Sequence, residues 1–176
     1  IDSLSCVLIE ESFFNKKVVD VGTGAGFPGI PVKILCPEIK LYLIDSQKKR
    51  VQFLYRLVEL LTLKDVNIGH DRVEILGRNI NYRDSFDICL ARAVSSLNVL
   101  SELCLPFLKI GGLFITQKGP DVKSEVDNLI NALELLGGRI KYIKKIKLPF
   151  IEDGRSLVVI EKIKDTVLRI KHKFLR

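Results

Sequence analysis

A chain of 176 residues with 47% apolar residues and a formal charge of +7 is long enough for one sizeable core and short for two. No apolar run approaches the roughly 18 residues of a membrane span, and the chain does not open on a basic segment followed by an apolar stretch, so a membrane role and secretion are both excluded as expectations. The charge is uneven: residues 139–176 hold 12 Lys and Arg against 4 Asp and Glu, which leaves the rest close to neutral and suggests a polyanionic partner for the C-terminal fifth.

The first strong pattern in chain order is KVVDVG (17–22), a short Val-rich run closed by glycine that reads as a buried strand. A helix is expected over 29–36, a second strand at KLYLID (40–45), and a helix over 47–62 from the spacing of Val51, Leu54, Leu57, Val58 and Leu61. DVNIGH (65–70), FDICLAR (86–92) and GLFITQK (112–118) read as three more buried strands, with helices over 97–108 and 121–136. The last helix stops at Gly137-Gly138, a C-cap signal.

This alternation implies parallel strands joined by right-handed crossovers. The pattern then breaks. IKYIKKIKL (140–148) and SLVVIEK (156–162) are separated only by PFIEDGR, with no room for a helix, so they should pair as an antiparallel hairpin. The expected fold is a Rossmann-like α/β domain over 1–176, with a mostly parallel seven-stranded sheet ending in that hairpin and helices on both faces. The tail at 164–176 is basic, and its apolar spacing fits a short helix and a frayed end equally.

Cys6, Cys36, Cys89 and Cys104 form no CxxC pair and lie in apolar contexts, as buried thiols of a reducing cytoplasm would. Neither histidine belongs to a cluster with metal-ligand spacing, so no metal site is expected. The absence of Met means that Ile1 is not a translation start, and an N-terminal piece is expected to be missing.

In an open parallel sheet the ligand lies beyond the C-terminal strand ends. Gly22, Gly24 and Gly26 leave the first strand there, where bare backbone can approach a ligand and φ can turn positive. Gly24-x-Gly26-x-x-Gly29 formally meets the dinucleotide pattern, which a structural turn can also meet. Asp45, ending the second strand just before Ser46, is placed to accept from both ribose hydroxyls of an adenosine; the competing reading is an acid at a helix start. NAD and S-adenosylmethionine share that contact. Asp20, before the glycines, is awkward beside a pyrophosphate and favourable near a sulfonium and an ammonium. In His70-Asp71-Arg72-Val73-Glu74, polar groups could face an adenine edge with Val73 on the ring, or simply cap the next helix.

The stretch CLARAVSSLNVL after the fourth strand lacks the Asn- or Asp-Pro-Pro-aromatic turn of amino-group methylation, and neither Cys89 nor Cys104 is placed as an activated nucleophile. Guanine N7 remains a fitting acceptor because its lone pair needs no base. Arg92 and Lys118 end strands at the ligand edge, although Lys118 reads equally as a snorkelling surface cation. Arg155, in EDGRS, could grip a phosphate or guanine O6/N7, or pair with Glu152 or Asp153. Lys48-Lys49-Arg50 reads as a solvated helical turn or a phosphate clamp.

DVGTGAGFPGIP, LIDSQKKRVQFL, HDRVE, FDICLARAVSSL, QKG and DGRSLVVI, in that order, resemble the bacterial small-subunit ribosomal RNA guanine-N7 methyltransferases, the glucose-inhibited division protein B family. The resemblance covers almost the whole chain and implies a class I methyltransferase fold. It implies S-adenosylmethionine contacts at Gly22, Gly24, Phe27, Val73, Glu74 and Arg92, beside Gly26, Asp45 and Ser46. It further implies 16S ribosomal RNA or the small ribosomal subunit as partner, and RNA-binding or catalytic roles for Arg92, Lys118 and Arg155; a monomer in the cytoplasm is expected besides. Pro28 and Pro31 should pre-set a rigid helix start that turns Phe27 toward the cofactor. Only Ile1-Asp2-Ser3-Leu4 of the family's HxxDSL stretch is present, and N-terminal helices are expected to be lacking. On local chemistry alone, a small NAD-dependent oxidoreductase and a non-catalytic RNA-binding module stay open.

Overall fold

The computed structural model describes residues 2–9, 11–92, 95–148 and 151–166. The seven expected runs are all strands: β1 (Lys17–Val21), β2 (Lys40–Asp45), β3 (Val66–His70), β4 (Phe86–Ala91), β5 (Leu108–Lys118), β6 (Gly138–Leu148) and β7 (Ile151–Lys162). They form one sheet in the order β3-β2-β1-β4-β5-β7-β6. The first five are parallel, and β7 runs antiparallel to both β5 and β6. The hairpin is therefore present, with its second strand inserted between the body of the sheet and β6.

The helices are α1 (Gly29–Leu35), α2 (Lys48–Leu60), α3 (Val73–Leu76), α4 (Leu97–Cys104) and α5 (Lys123–Leu136), with 3-10 helices at Asp2–Leu8 and Leu105–Phe107. Successive strand residues point to opposite faces, so Val18, Leu41, Leu43, Leu90 and Ile115 pack under α1, α2 and the N-terminal 3-10 helix. Val19, Cys89, Phe114 and Val158 pack under α4 and α5 on the other face, against Leu97, Leu100, Leu129 and Leu133. Helices thus cover both faces, as expected.

Several boundaries differ from expectation. β6 starts at Gly138 rather than 140 and β7 at Ile151 rather than 156, so EDGRS belongs to the strand and Arg155 lies on β7 rather than in the hairpin connection. The helix expected over 97–108 stops at Cys104, because Pro106 offers no N–H and restricts the residue before it, and the chain tightens into a 3-10 turn. β5 starts at Leu108 rather than 112. Leu108 still pairs with Phe86, and a register shift between Phe86 and Ile88, with Gly111 at φ +82°, absorbs the polar residues that read as a turn. α5 starts at Lys123 rather than 121, where the Lys123 N–H donates to Asp121 Oδ1 at 3.0 Å. β3 is only half-buried, because it is the sheet's edge. The C-cap at Gly137 has φ +76° and donates its N–H to Leu133 O. No described helix is long and apolar enough to cross a membrane. The expected tail falls mostly on 167–176, outside the described residues.

Candidate active site

The strand order reverses between β1 and β4, which opens a crevice beyond their C-terminal ends. The glycine loop fills one side of it. Gly22 and Thr23 donate N–H groups to Ile44 O at 2.9 and 3.1 Å, which ties the loop to β2. Asp20, wholly buried, accepts through one oxygen, Oδ2, from Thr23 Oγ1 at 2.6 Å and from the Gly29 N–H at 2.8 Å. Its Oδ1 is buried and accepts no hydrogen bond among the described residues. Burial pushes the Asp20 carboxyl up to about 6, while the Thr23 and Gly29 bonds and the more distant Arg92 charge pull it back down.

Asp45, at the end of β2 and 3% exposed, holds the loop from the other side. Its Oδ2 accepts from the Gly24 N–H at 3.0 Å and lies 3.4 Å from Arg50 Nη1, and its Oδ1 accepts from the Gln47 N–H at 2.8 Å. Asp45 thus lines the cleft, where the ribose reading would need it, and also braces the start of α2, as the competing reading expected. Gly22 and Gly24 have φ +68° and +61°, and a Cβ on either would meet nothing within 4 Å. Gly26, by contrast, turns inward, where a Cβ would lie 2.6 Å from Ile30 Cγ1.

A cleft of about 360 Å³ opens beside this loop, lined among the expected residues by Gly22, Asp45, Ser46, Val73 and Glu74. Its volume suits a small ligand. Arg50 and Arg72 also line it, and so does Leu103 on α4. Leu103 was not legible as a site residue, since in sequence it is one apolar helix position among several. His70 Nε2 lies 3.2 Å from Ser46 O, so that ring touches the cleft's rim rather than its wall. Lys48, Lys49 and Arg50 are exposed on the first turn of α2.

The glycine-loop side of the cleft fits an adenosine-like ligand better than a pyrophosphate. The open space at Gly22 and Gly24 is a cradle that side chains would fill, the Gly24 N–H is committed to Asp45 rather than free for a phosphate, and the buried Asp20 charge stands behind the loop.

The other candidates do not line this cleft, Arg92 and Phe27 among them, although the resemblance implied cofactor contacts for both. The Arg92 guanidinium lies 5.2 Å from the Phe27 ring centroid and donates from Nη1 to Ser3 Oγ at 2.8 Å. Phe27 is 44% exposed and makes this edge contact instead of lining the cleft, so the rigid turn aims it at Arg92. Arg155 donates from Nη1 to Gly154 O, and its Nε lies 3.6 Å from Asp2 Oδ1; the side chains of Glu152 and Asp153, its expected partners, lie outside the description. Lys118 is not a snorkelling surface cation: its side chain is 9% exposed and donates to Glu125 Oε2 at 2.8 Å and to Ser95 O at 2.9 Å. Asp2, Ser3 and Gln117 were missed, since their part in this edge comes from contacts more than 85 residues apart in sequence. Burial pushes the thiols of Cys6, Cys36 and Cys89 upward, which leaves them poor nucleophiles.

The chain matches the model of the GidB family, rRNA small subunit methyltransferase G, over residues 1–157. It is 50% identical over 173 residues to the ribosomal RNA small subunit methyltransferase G of Alkaliphilus metalliredigens, covering 98% of this chain and 72% of that protein. It is 51% identical over 166 residues to the protein of the same name from Desulforamulus reducens, covering 94% and 69%. Among solved structures, a predicted O-methyltransferase from Agrobacterium tumefaciens shares the fold with a TM-score of 0.72, at 17% identity, over 94% of this chain and 83% of that one.

Proposed function

The chain belongs to the GidB family, rRNA small subunit methyltransferase G, and from that premise we propose that it methylates N7 of a guanine in 16S ribosomal RNA with S-adenosylmethionine as donor. It does so in the cytoplasm, as a monomer acting on the RNA or on the small ribosomal subunit. The observation that supports the reading beyond the family name is a glycine-loop cleft, with Asp45 and Glu74 among its lining residues beside Arg50 and Arg72, next to a sheet edge that bears the guanidinium groups of Arg92 and Arg155.

In this reading Gly22, Gly24, Asp45, Ser46, Val73 and Glu74 hold the cofactor. Asp45 takes the ribose hydroxyls, and the Asp20 charge behind the loop favours a cation over a pyrophosphate. When bound, S-adenosylmethionine supplies a methyl group on a positively charged sulfur, which the guanine N7 lone pair takes by displacement while the electrons of the broken bond return to sulfur. Gly26 and Phe27 serve at one remove, Gly26 by shaping the turn and Phe27 by supporting Arg92. Because N7 carries no proton, the edge needs no base. Arg92 and Arg155 orient the RNA through phosphate or guanine O6, and Lys118 sets the loop at 95–96 that follows β4.

The test is direct. The protein is incubated with labelled S-adenosylmethionine and either free 16S RNA or small subunits that lack the modification, and the nucleosides are analysed by mass spectrometry. 7-Methylguanosine in at least one arm is the expected result. Its absence from both overturns the proposal, and light scattering in solution tests the monomer.

A further inference from the structure

The two guanidinium groups of the edge belong to β7 and to the residue after β4, and β5 lies between those strands. No strand pairing sets one against the other. What joins them is a single carboxylate from the far end of the chain: Asp2 Oδ2 lies 3.6 Å from Arg92 Nη1, and Asp2 Oδ1 lies 3.6 Å from Arg155 Nε.

Asp2 is itself held in place. Gln117, buried on β5 between the two arginines, donates from Nε2 to the Asp2 carbonyl and, at 2.6 Å, to Ser5 Oγ. Ser3, the next residue, accepts from Arg92. Asp2 Oδ1 is buried and accepts no hydrogen bond among the described residues, so the charged group it faces is the Arg155 guanidinium. The arginine side chains are 34% and 32% exposed, which leaves N–H groups of each free to face outward. Without a carboxylate between them, two like charges at a half-buried edge would move apart.

We propose that Asp2 is a positioning residue for methyl transfer, holding Arg92 and Arg155 side by side so that both present their outward N–H groups to the same RNA. This rests on the reading of those two arginines as the RNA-facing edge.

The experiment compares wild type, Asp2→Asn, the double variant Arg92→Lys/Arg155→Lys, and the triple combination, with turnover counted per S-adenosylmethionine-binding site so that unfolded molecules drop out. Misplaced groups cost turnover, so kcat of Asp2→Asn should fall by about tenfold to a hundredfold. KM for RNA should not rise, since a negative charge has been removed, and cofactor affinity should be unchanged. In the arginine double variant the same change should cost nothing further. Wild-type kcat in Asp2→Asn overturns the proposal while leaving the edge intact, as does a loss of equal size in both backgrounds. Full activity in Arg92→Lys/Arg155→Lys instead overturns the reading of the edge, and the role of Asp2 with it.

Discussion

The Gly29 backbone nitrogen donates to Asp20 Oδ2 at 2.8 Å, and a Cβ at Gly29 would lie 2.7 Å from that same oxygen. The start of α1 and the end of β1 are locked together at a point where only a glycine fits. Gly29→Ala should therefore destabilise the fold by about 1–3 kcal/mol, the usual cost of overpacking, with Leu43 Cδ2 at 2.9 Å leaving no second way out. Urea denaturation measures this, and an unchanged midpoint would show that the loop yields freely.

The raised carboxyl of Asp20 gives the protein an inverted acid response at one residue. The native state holds this proton up to about pH 6, whereas an unfolded Asp releases it near 3.9. The contribution to stability is fully present below about pH 4 and is lost as pH rises through about 6. The difference corresponds to about 3 kcal/mol. Asp20→Asn removes this dependence, so its stability relative to wild type should climb between pH 4 and 6 and then level off. Denaturation curves at a series of pH values should show that slope; parallel curves would mean that Asp20 stays ionised throughout.

Asp45→Ala removes the acceptor of both the Gly24 and the Gln47 N–H groups. Cofactor affinity should fall by roughly tenfold to a hundredfold, the counterpart of about 1–3 kcal/mol for polar groups left unpaired. Calorimetry with S-adenosylhomocysteine reads it, and an unaltered dissociation constant would put the ribose elsewhere.

Lys118 and Glu125 stand or fall as a pair. Glu125 Oε2 also accepts from the Leu97 N–H at 2.8 Å, so one carboxylate joins β5 to the start of α4. Lys118→Ala and Glu125→Gln should each destabilise the protein, by about 1–3 kcal/mol, and to similar extents. A loss of RNA affinity in Lys118→Ala with no loss of stability would place its amine on the RNA instead.

Much of this was legible because the information is local. A short Val- and Leu-rich run ending in glycine says strand whatever surrounds it, and Asp45 declares itself by ending such a run. β5 was read short because Lys109 and Gly111 look like a turn, and only the register shift opposite Phe86 keeps Leu108 paired. The N-terminal 3-10 helix carries no periodic pattern, and α3 has only four residues. The role of Asp2 was illegible for a different reason: it exists only through Arg92, Gln117 and Arg155, side chains that folding alone brings near it. For Phe27 the turn was read correctly, and the cation above it was not.

The placement of β7 between β5 and β6 has a consequence for how the protein matures as it is made. The residues lining the cleft lie between Gly22 and Leu103, and chains leave the ribosome N-terminus first. The outer edge, in contrast, waits for Arg155 on β7, which must enter next to β5 after β6 has already emerged. The groups that line the berth for a small ligand are therefore all made before the last group of the surface for a large one, and only the finished sheet joins the two.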